Sequence, residues 1–365
     1  MNKFLEKITN EFQGGKMTPL LFKKILRYAG KSTSKFAGNL IPMSYIIKGL
    51  SVKPSTLNLS TINTCNARCV FCAYQYLTAP RGIMSDKVFK KAVNDFVDIG
   101  GGNIGFTPTV GDALLDPEII ERIKYCRSFS NIKNIGFYTN GIFLSNIDLK
   151  KFLTSGINSI SISMGGFDRK SYGEVFGVDR FNEVYKGIVN SCKVNRDLGK
   201  PVKISISLRT YKSISEVMKE PAYEEINRLV DNIDYQYNFD SWNGMIKQSD
   251  LLGFMKLREL EQKSDPCSIL YAGLSVFWNG DVTVCGCRDL NGDSELVLGN
   301  IMKNSLIDLW NGEKLKKIRQ GFWEDKIPDI CKDCSHYDSI KNSKTFHFGR
   351  EARRNLKLHK KCFGR

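Results

Sequence analysis

Histidine is nearly missing from this chain of 365 residues: there are three, His336, His347 and His359. The first 335 residues therefore offer no imidazole as a base or metal ligand. Long apolar runs are missing too. No stretch approaches the ~20 residues that a membrane-spanning helix needs, and Met1-Asn2-Lys3-Phe4 opens a mixed polar segment without the look of a secretory leader. Acidic residues are in short supply, with 38 Asp and Glu against 54 Lys and Arg, a formal charge of +16. That excess is local. Residues 1–36 hold eight Lys/Arg against two Glu and residues 341–365 nine against one, so the ends carry +14 and residues 37–340 only +2. Two readings stand for such charged ends: solvated faces, or contacts with an anionic partner such as a nucleotide, a phosphate, RNA or a membrane surface. The rest of the composition is ordinary for a globular chain of one large domain and a smaller one.

Cysteine, by contrast, is plentiful. Eleven cysteines without an export signal argue for metal over disulfides and for a reducing cytoplasm. Three of them form a tight group, Cys65-Asn66-Ala67-Arg68-Cys69-Val70-Phe71-Cys72, at C-x3-C-x2-C spacing after the extended run Leu57–Ile62. Thiolates are the soft ligands that iron–sulfur clusters require, and three of them hold three irons of a [4Fe–4S] cluster, leaving the fourth iron open. A disulfide knot or a zinc loop is the plainer reading. Zinc loops, however, pair C-x2-C with a second pair or with histidines; the next cysteine is Cys126, and no histidine precedes His336.

This spacing, after a strand and with an aromatic residue before the third cysteine, resembles the radical S-adenosylmethionine (SAM) superfamily. The resemblance implies that SAM occupies the open iron. One electron then cleaves it to a 5′-deoxyadenosyl radical, which abstracts hydrogen from a substrate. It also implies an electron donor such as flavodoxin or ferredoxin.

From Pro54 to about Asp265, strands (57–62, 103–107, 134–139, 157–163, 202–208, 233–237) alternate with helices (85–99, 117–129, 146–155, 180–198, 216–230). Alternation of this kind means parallel β/α units with right-handed crossovers. The resemblance implies a partial (β/α)6 TIM barrel, an α/β fold with its chemistry at the C-terminal strand ends. On the family pattern, Phe71, Gly111, Asp112, Asn140, Ser163 and Arg209 become the cofactor-binding candidates. Val110-Gly111-Asp112-Ala113 departs from the usual Gly-Gly-Glu-Pro, so Asp112 either receives the SAM ammonium or only caps the helix opening at Pro117. Asn140-Gly141 is first of all a turn signal. Arg209 either clamps the SAM carboxylate or sits on the surface.

Beyond Asp265 the pattern changes. A hairpin turning at Asn279-Gly280 is flanked by Cys267 and Cys285. Leu298-Gly299-Asn300-Ile301, a helix from Ser305 through Trp310, and Cys331-Lys332-Asp333-Cys334 follow. The segment resembles the α+β SPASM/twitch auxiliary-cluster domain. The C-x5-C-x3-C continuation of a full SPASM domain is missing, which leaves Cys267, Cys285, Cys331 and Cys334 for one auxiliary [4Fe–4S] cluster of twitch type, or for zinc. The expected organisation is a basic helical extension (1–53), the barrel (54–265), the auxiliary domain (266–340) and a basic tail (341–365). In the extension, Pro19–Tyr28 reads as a basic amphipathic helix that packs on the domain or rests peripherally on anionic lipid. Cys126 and Cys192 read as core residues and Cys362 has no assigned role. Cys287 has three open readings: spare ligand, catalytic hydrogen-atom donor, or none.

The functional expectation is an oxidoreductase that abstracts hydrogen from a small polar substrate, such as a sugar, aminocyclitol or nucleotide-linked sugar, with dehydrogenation assisted by the auxiliary cluster. Epimerisation or crosslinking of a ribosomally made peptide is the alternative. Molybdopterin-precursor synthesis fits less well, because its enzymes show a different auxiliary spacing. A non-enzyme alternative is a zinc or cluster protein that binds RNA through its basic ends.

Overall fold

The computed structural model of the protein describes residues 43–286 and 288–341; the expected helix at 19–28, Cys287, Cys362 and the charged runs at 1–36 and 342–365 lie outside the described residues. The chain divides into two compact units, Lys53–Ser339 and the combination of Met1–Val52 with Ile340–Arg365. Of the second unit the helix α1 (Met43–Leu50) is described.

In Lys53–Ser339 the expected alternation becomes six parallel strands in the order of the chain: β1 (Thr56–Ser60), β2 (Gly102–Phe106), β3 (Ile132–Thr139), β4 (Ser159–Met164), β5 (Lys203–Arg209) and β6 (Asn232–Gln236). Their period-two pattern sorts the side chains. On β4 and β5, Ile160, Ile162, Met164, Ile204, Ile206 and Leu208 are buried in the apolar layer, while Ser161, Ser163, Ser207 and Arg209 line a central cavity. The helices between strands are α2 (Asp86–Asp98), α3 (Ile119–Arg127), α4 (Leu149–Leu153), α5 (Arg169–Phe176), α6 (Phe181–Asp197), α7 (Ile214–Val217) and α8 (Tyr223–Leu229). Ser85 caps α2 through the Val88 N–H (3.3 Å), and Phe89, Ala92, Val93 and Phe96 form its buried face.

Two helical expectations are corrected. The single helix at 216–230 is two short ones, because Pro221 has no N–H to donate and the next amide, Ala222, bonds instead to the Phe167 carbonyl (3.2 Å). Helix α5 was not anticipated. Asp168 caps it through the Ser171 N–H (2.8 Å) and Gly177 ends it at φ +65.

The C-terminal segment forms the hairpin β9 (Gly273–Phe277) and β10 (Asp281–Thr283), which turns at Asn279-Gly280, with β11 (Val297–Asn300) beside β10. It is not a separate sheet. β9 pairs in parallel with β1 from Thr56↔Gly273 to Ser60↔Phe277, giving nine strands in the order β11-β10-β9-β1-β2-β3-β4-β5-β6. A six-stranded open barrel leaves one edge of β1 bare, and β9 covers that row of N–H and C=O groups. A small pair, β7 (Asn238–Phe239) with β8 (Lys256–Leu257), follows β6. Ser305 caps α9 (Leu306–Asn311) through the Asp308 N–H. In α10 (Glu313–Gly321) the buried Arg319 donates twice to the Leu270 carbonyl (3.1 and 2.9 Å) and lies 4.4 Å from the Trp310 ring. Helix α11 (Asp329–Lys332) carries Cys331.

One buried ion pair ties the β2–α3 connection to α3 and packs it against α2. Arg122 Nε lies 2.9 Å from Asp116 Oδ2, with side chains 5% and 0% exposed, and the guanidinium stacks 4.8 Å over Phe89. Removing one partner strands the other charge, which costs about 3–5 kcal/mol. Arg122→Ala should lower unfolding stability by that amount in a denaturant titration, whereas Lys90→Ala, at an exposed pair with Asp86, should leave the midpoint nearly unchanged.

Candidate functional site: a cysteine-lined cavity at the strand ends

The cysteine loop leaves the C-terminal end of β1 and lies on the end of α5. The Arg68 N–H donates to the Phe176 carbonyl (2.9 Å) and the Val70 N–H to the Val175 carbonyl (3.0 Å). A side chain at Gly177 would start 2.4 Å from the Arg68 carbonyl oxygen, so that close approach requires glycine. The Tyr74 hydroxyl accepts from the Cys65 N–H (2.9 Å), and the Cys72 N–H turns back to the Cys69 carbonyl (3.1 Å). Cys65, Cys69 and Cys72 line one cavity of ≈ 750 Å³. Burial pushes the Cys65 thiol up to about 11 and raises Cys69 and Cys72 as well, while Arg209 pulls the latter two back toward thiolate.

Phe71, Gly111, Asp112, Asn140, Ser163 and Arg209 all line this same cavity. Two of them are held by contacts that the sequence left open. The Asp112 carboxylate, 2% exposed, accepts from the Leu114 N–H (3.0 Å), the Asn140 N–H (2.6 Å) and the Thr139 hydroxyl (2.9 Å to each oxygen). It pins the β2 and β3 loops together. Burial pushes it up to about 6 against those donors. The Asn140 side chain turns to the cysteine loop, donating to Asn66 Oδ1 (2.7 Å) and Cys65 Sγ (3.6 Å). Gly111, at φ +120, lets this loop approach the chain entering the cysteine loop; a Cβ would lie 2.9 Å from the Ile62 carbonyl oxygen. Arg209 is no surface residue. Its guanidinium lies 5.0 Å over Phe71, its Nε 3.4 Å from Ser163 Oγ, and among the described residues it has no carboxylate partner.

Asp112→Asn places an amide where three donors converge, so at least one loop contact breaks at a cost of about 1–3 kcal/mol. SAM affinity, by equilibrium dialysis, should fall roughly tenfold or more with the iron content unchanged.

Cys267, Cys285, Cys331 and Cys334 form the second set. Residues 337–339 fold back along 265–268: the Ser268 N–H donates to the Asp338 carbonyl (2.8 Å), the Tyr337 hydroxyl to the Asp265 carbonyl (2.8 Å), and Cys267 bridges Ser339. Burial raises Cys267 to about 12 and Cys331 further, each reinforced by the negative charge of its partners in the set. Among the described residues no group of three His, Cys, Asp or Glu is set to hold a single metal ion. In both sets the donors are thiols alone, the chemistry that fits an iron–sulfur cluster, whose irons take one thiolate each. Arg209, which has no carboxylate partner among the described residues, fits an anionic group beside it. Cys126 and Cys192 are buried in α3 and α6, and the nine described cysteines are all free.

Sequence reasoning left the cavity without histidine, and the structure corrects this: His336 lines it, together with Trp242, Arg258 and Arg288. His336 is pushed down to about 4 by burial, then by Arg288 and Arg258, so it is neutral near pH 7. These residues sit on irregular segments without motif spacing. The one available signal was that His336 falls two residues after Cys334.

A family model of the Radical SAM superfamily matches residues 59–219, and one described as an iron–sulfur cluster-binding domain, SPASM, matches residues 267–335. Curated relatives include GTP 3′,8-cyclase of Thermodesulfovibrio yellowstonii, 26% identical over 187 residues (50% of this chain, 54% of the relative), and that of Clostridium acetobutylicum, 29% identical over 157 residues (42% and 46%). The chain thus spans about half the length of the curated relatives it matches. Among solved structures, BtrN in complex with AdoMet and 2-DOIA is 17% identical with TM-score 0.54, covering 80% of this chain and 96% of that one. Streptococcus suis SuiB bound to precursor peptide SuiA is 17% identical with TM-score 0.56, covering 79% and 72%. At those identities the likeness is one of fold. Among the described residues no helix is long and apolar enough to cross a membrane. The chain carries a domain of the Radical SAM superfamily over residues 59–219, followed by an iron–sulfur cluster-binding SPASM domain over residues 267–335.

Proposed function

We propose that the protein abstracts hydrogen from a small polar molecule, of sugar, aminocyclitol or nucleotide-sugar type, and completes a dehydrogenation with the help of one auxiliary [4Fe–4S] cluster. The observation that carries this reading is that one cavity reaches from the first thiol set to the edge of the second. Its ≈ 750 Å³ falls in the range of small-molecule sites, and its lining runs from Cys65, Cys69 and Cys72 to Val284 and Gly286, which flank Cys285 of the second set. When bound, the cluster and SAM supply the one-electron chemistry that makes a hydrogen-abstracting radical.

The chain's own residues do the rest. Cys65, Cys69 and Cys72 hold one cluster; Cys267, Cys285, Cys331 and Cys334 hold the other. The Asn140 amide donates to the Cys65 sulfur, which stabilises its charge. Asp112, saturated by donors, keeps the β2 and β3 loops in register, and Arg209 orients the SAM carboxylate. Phe71, stacked on Phe239 at 5.0 Å and edge-on to Phe176 at 5.9 Å, forms an apolar wall that limits water at the reacting centre. The serines of β4 and β5 present hydroxyls suited to a polyhydroxylated ligand. Electrons would come from a small carrier such as flavodoxin or ferredoxin in a reducing compartment.

The test is anaerobic reconstitution with dithionite and SAM, followed by mass spectrometry of aminocyclitols, sugars and nucleotide-sugars for loss of two hydrogens. A product two mass units lighter, with deuterium from labelled substrate recovered in 5′-deoxyadenosine, supports the reading. Turnover only of a precursor peptide would replace it with peptide modification.

A further inference from the structure

We propose that the part of this cavity formed by Arg258, His336 and the Arg288–Trp242 stack is a subsite for an oxyanion carried by the substrate. This rests on the functional reading above, in which the cavity is where substrate and SAM meet.

Three guanidinium groups line the cavity, those of Arg209, Arg258 and Arg288. Two are accounted for. Arg288 is paired with Asp240 (Nε to Oδ1 2.6 Å, side chains 10% and 5% exposed) and lies 4.8 Å over the Trp242 ring. Arg209 adjoins Cys69 and Cys72, whose thiolates it favours. Arg258 is left over. It lines the cavity and has no carboxylate partner among the described residues. A cation without a carboxylate partner in a cavity wall favours an anion beside it.

The acids of the cavity do not supply that anion. The Asp112 carboxylate is consumed by three donors, and Asp240 is held by Arg288, the Trp242 N–H (2.5 Å) and the Ser335 hydroxyl (3.0 Å). Asp234, on β6, accepts from the Asn232 side chain (2.8 Å) and forms no ion pair with Arg258 among the described residues.

Arg258 is also aimed. One N–H donates to His336 Nδ1 (2.9 Å) and Nε lies 3.4 Å from the Asn238 carbonyl oxygen. Neither acceptor carries a negative charge, so they orient the guanidinium without cancelling its own, and three of its five N–H donors keep no protein partner among the described residues. That leaves a fork suited to two oxygens of a phosphate or carboxylate. The backbone of this wall is strained where it bears the stack: Trp242 and Asn243 hold φ of +50 and +55, a conformation bulky residues rarely adopt. The Trp242 indole N–H reaches the Phe71 carbonyl (3.1 Å), coupling this wall to the cysteine loop.

The experiment uses the full, anaerobically reconstituted chain with SAM, in low-salt buffer. Binding of inorganic pyrophosphate and of malonate is measured by titration calorimetry for wild type, Arg258→Gln, Arg258→Lys and the exposed control Arg169→Gln. At least one probe should bind wild type. Arg258→Gln should weaken it about tenfold or more, Arg258→Lys less, and Arg169→Gln not at all. A preference for pyrophosphate assigns a phosphate ester, a preference for malonate a carboxylate. Equal binding by wild type and Arg258→Gln, as anion capture by the basic ends would give, overturns the proposal, as does binding of neither probe to wild type. Circular dichroism checks the variants' fold. SAM uptake by wild type is followed separately by dialysis: its failure counts against the functional reading, whereas intact uptake without Arg258-dependent anion binding counts against the subsite alone.

Discussion

Changing Cys65, Cys69 and Cys72 together to Ala should leave a folded protein with about four irons in place of about eight, counting one four-iron cluster per thiolate set, and no 5′-deoxyadenosine formation. Folding should survive because the loop is fastened by its backbone. The Arg68 and Val70 amides bond to the end of α5 and the Tyr74 hydroxyl holds the Cys65 amide, and none of these contacts uses a thiol. The thiols are costly to ionise where they lie, since burial raises all three, and Arg209 offsets this only in part. Their deprotonation is therefore tied to metal binding. Iron analysis and chromatography of the SAM products check both halves. SAM cleavage at the wild-type rate in the triple variant would remove the loop from the chemistry.

The second large effect falls at the other thiol set. Cys331→Ala with Cys334→Ala should retain about half the iron and keep slow, uncoupled SAM cleavage, yet bring product formation to background. The reason is positional. Cys331 lies on the short helix α11, and the strand junction that joins this half of the molecule to the barrel, β9 on β1, lies elsewhere in the chain and keeps its full register without them. The barrel should thus stay folded, with a melting temperature within a few degrees of wild type. The cavity edge beside Cys285 would lose its cluster. Normal substrate turnover by this pair variant would make the second set structural.

Much of this was determined by sequence alone. C-x3-C-x2-C spacing states its chemistry because thiolates on one short loop reach one cluster whatever surrounds them. The six strands were legible because Ile and Leu alternate with Ser on β4 and β5, and period two survives any packing. The hairpin at Asn279-Gly280 followed from turn chemistry in the same way. Local signals failed where a distant partner decides. Helix α5 depends on caps at both ends more than on periodicity, and the 216–230 segment broke because Pro221 removed one donor. Only the tertiary structure could join β9 to β1, since Gly273 meets Thr56 across more than two hundred residues and edge pairing is not written in either strand. It alone showed the Asp112 carboxylate accepting from the loops after β2 and β3 at once. It also brought Trp242, Arg258, Arg288 and His336 from three unrelated segments to the wall that holds the cysteine loop, because long-range contacts are set by the packing of whole elements and carry no spacing a sequence can show.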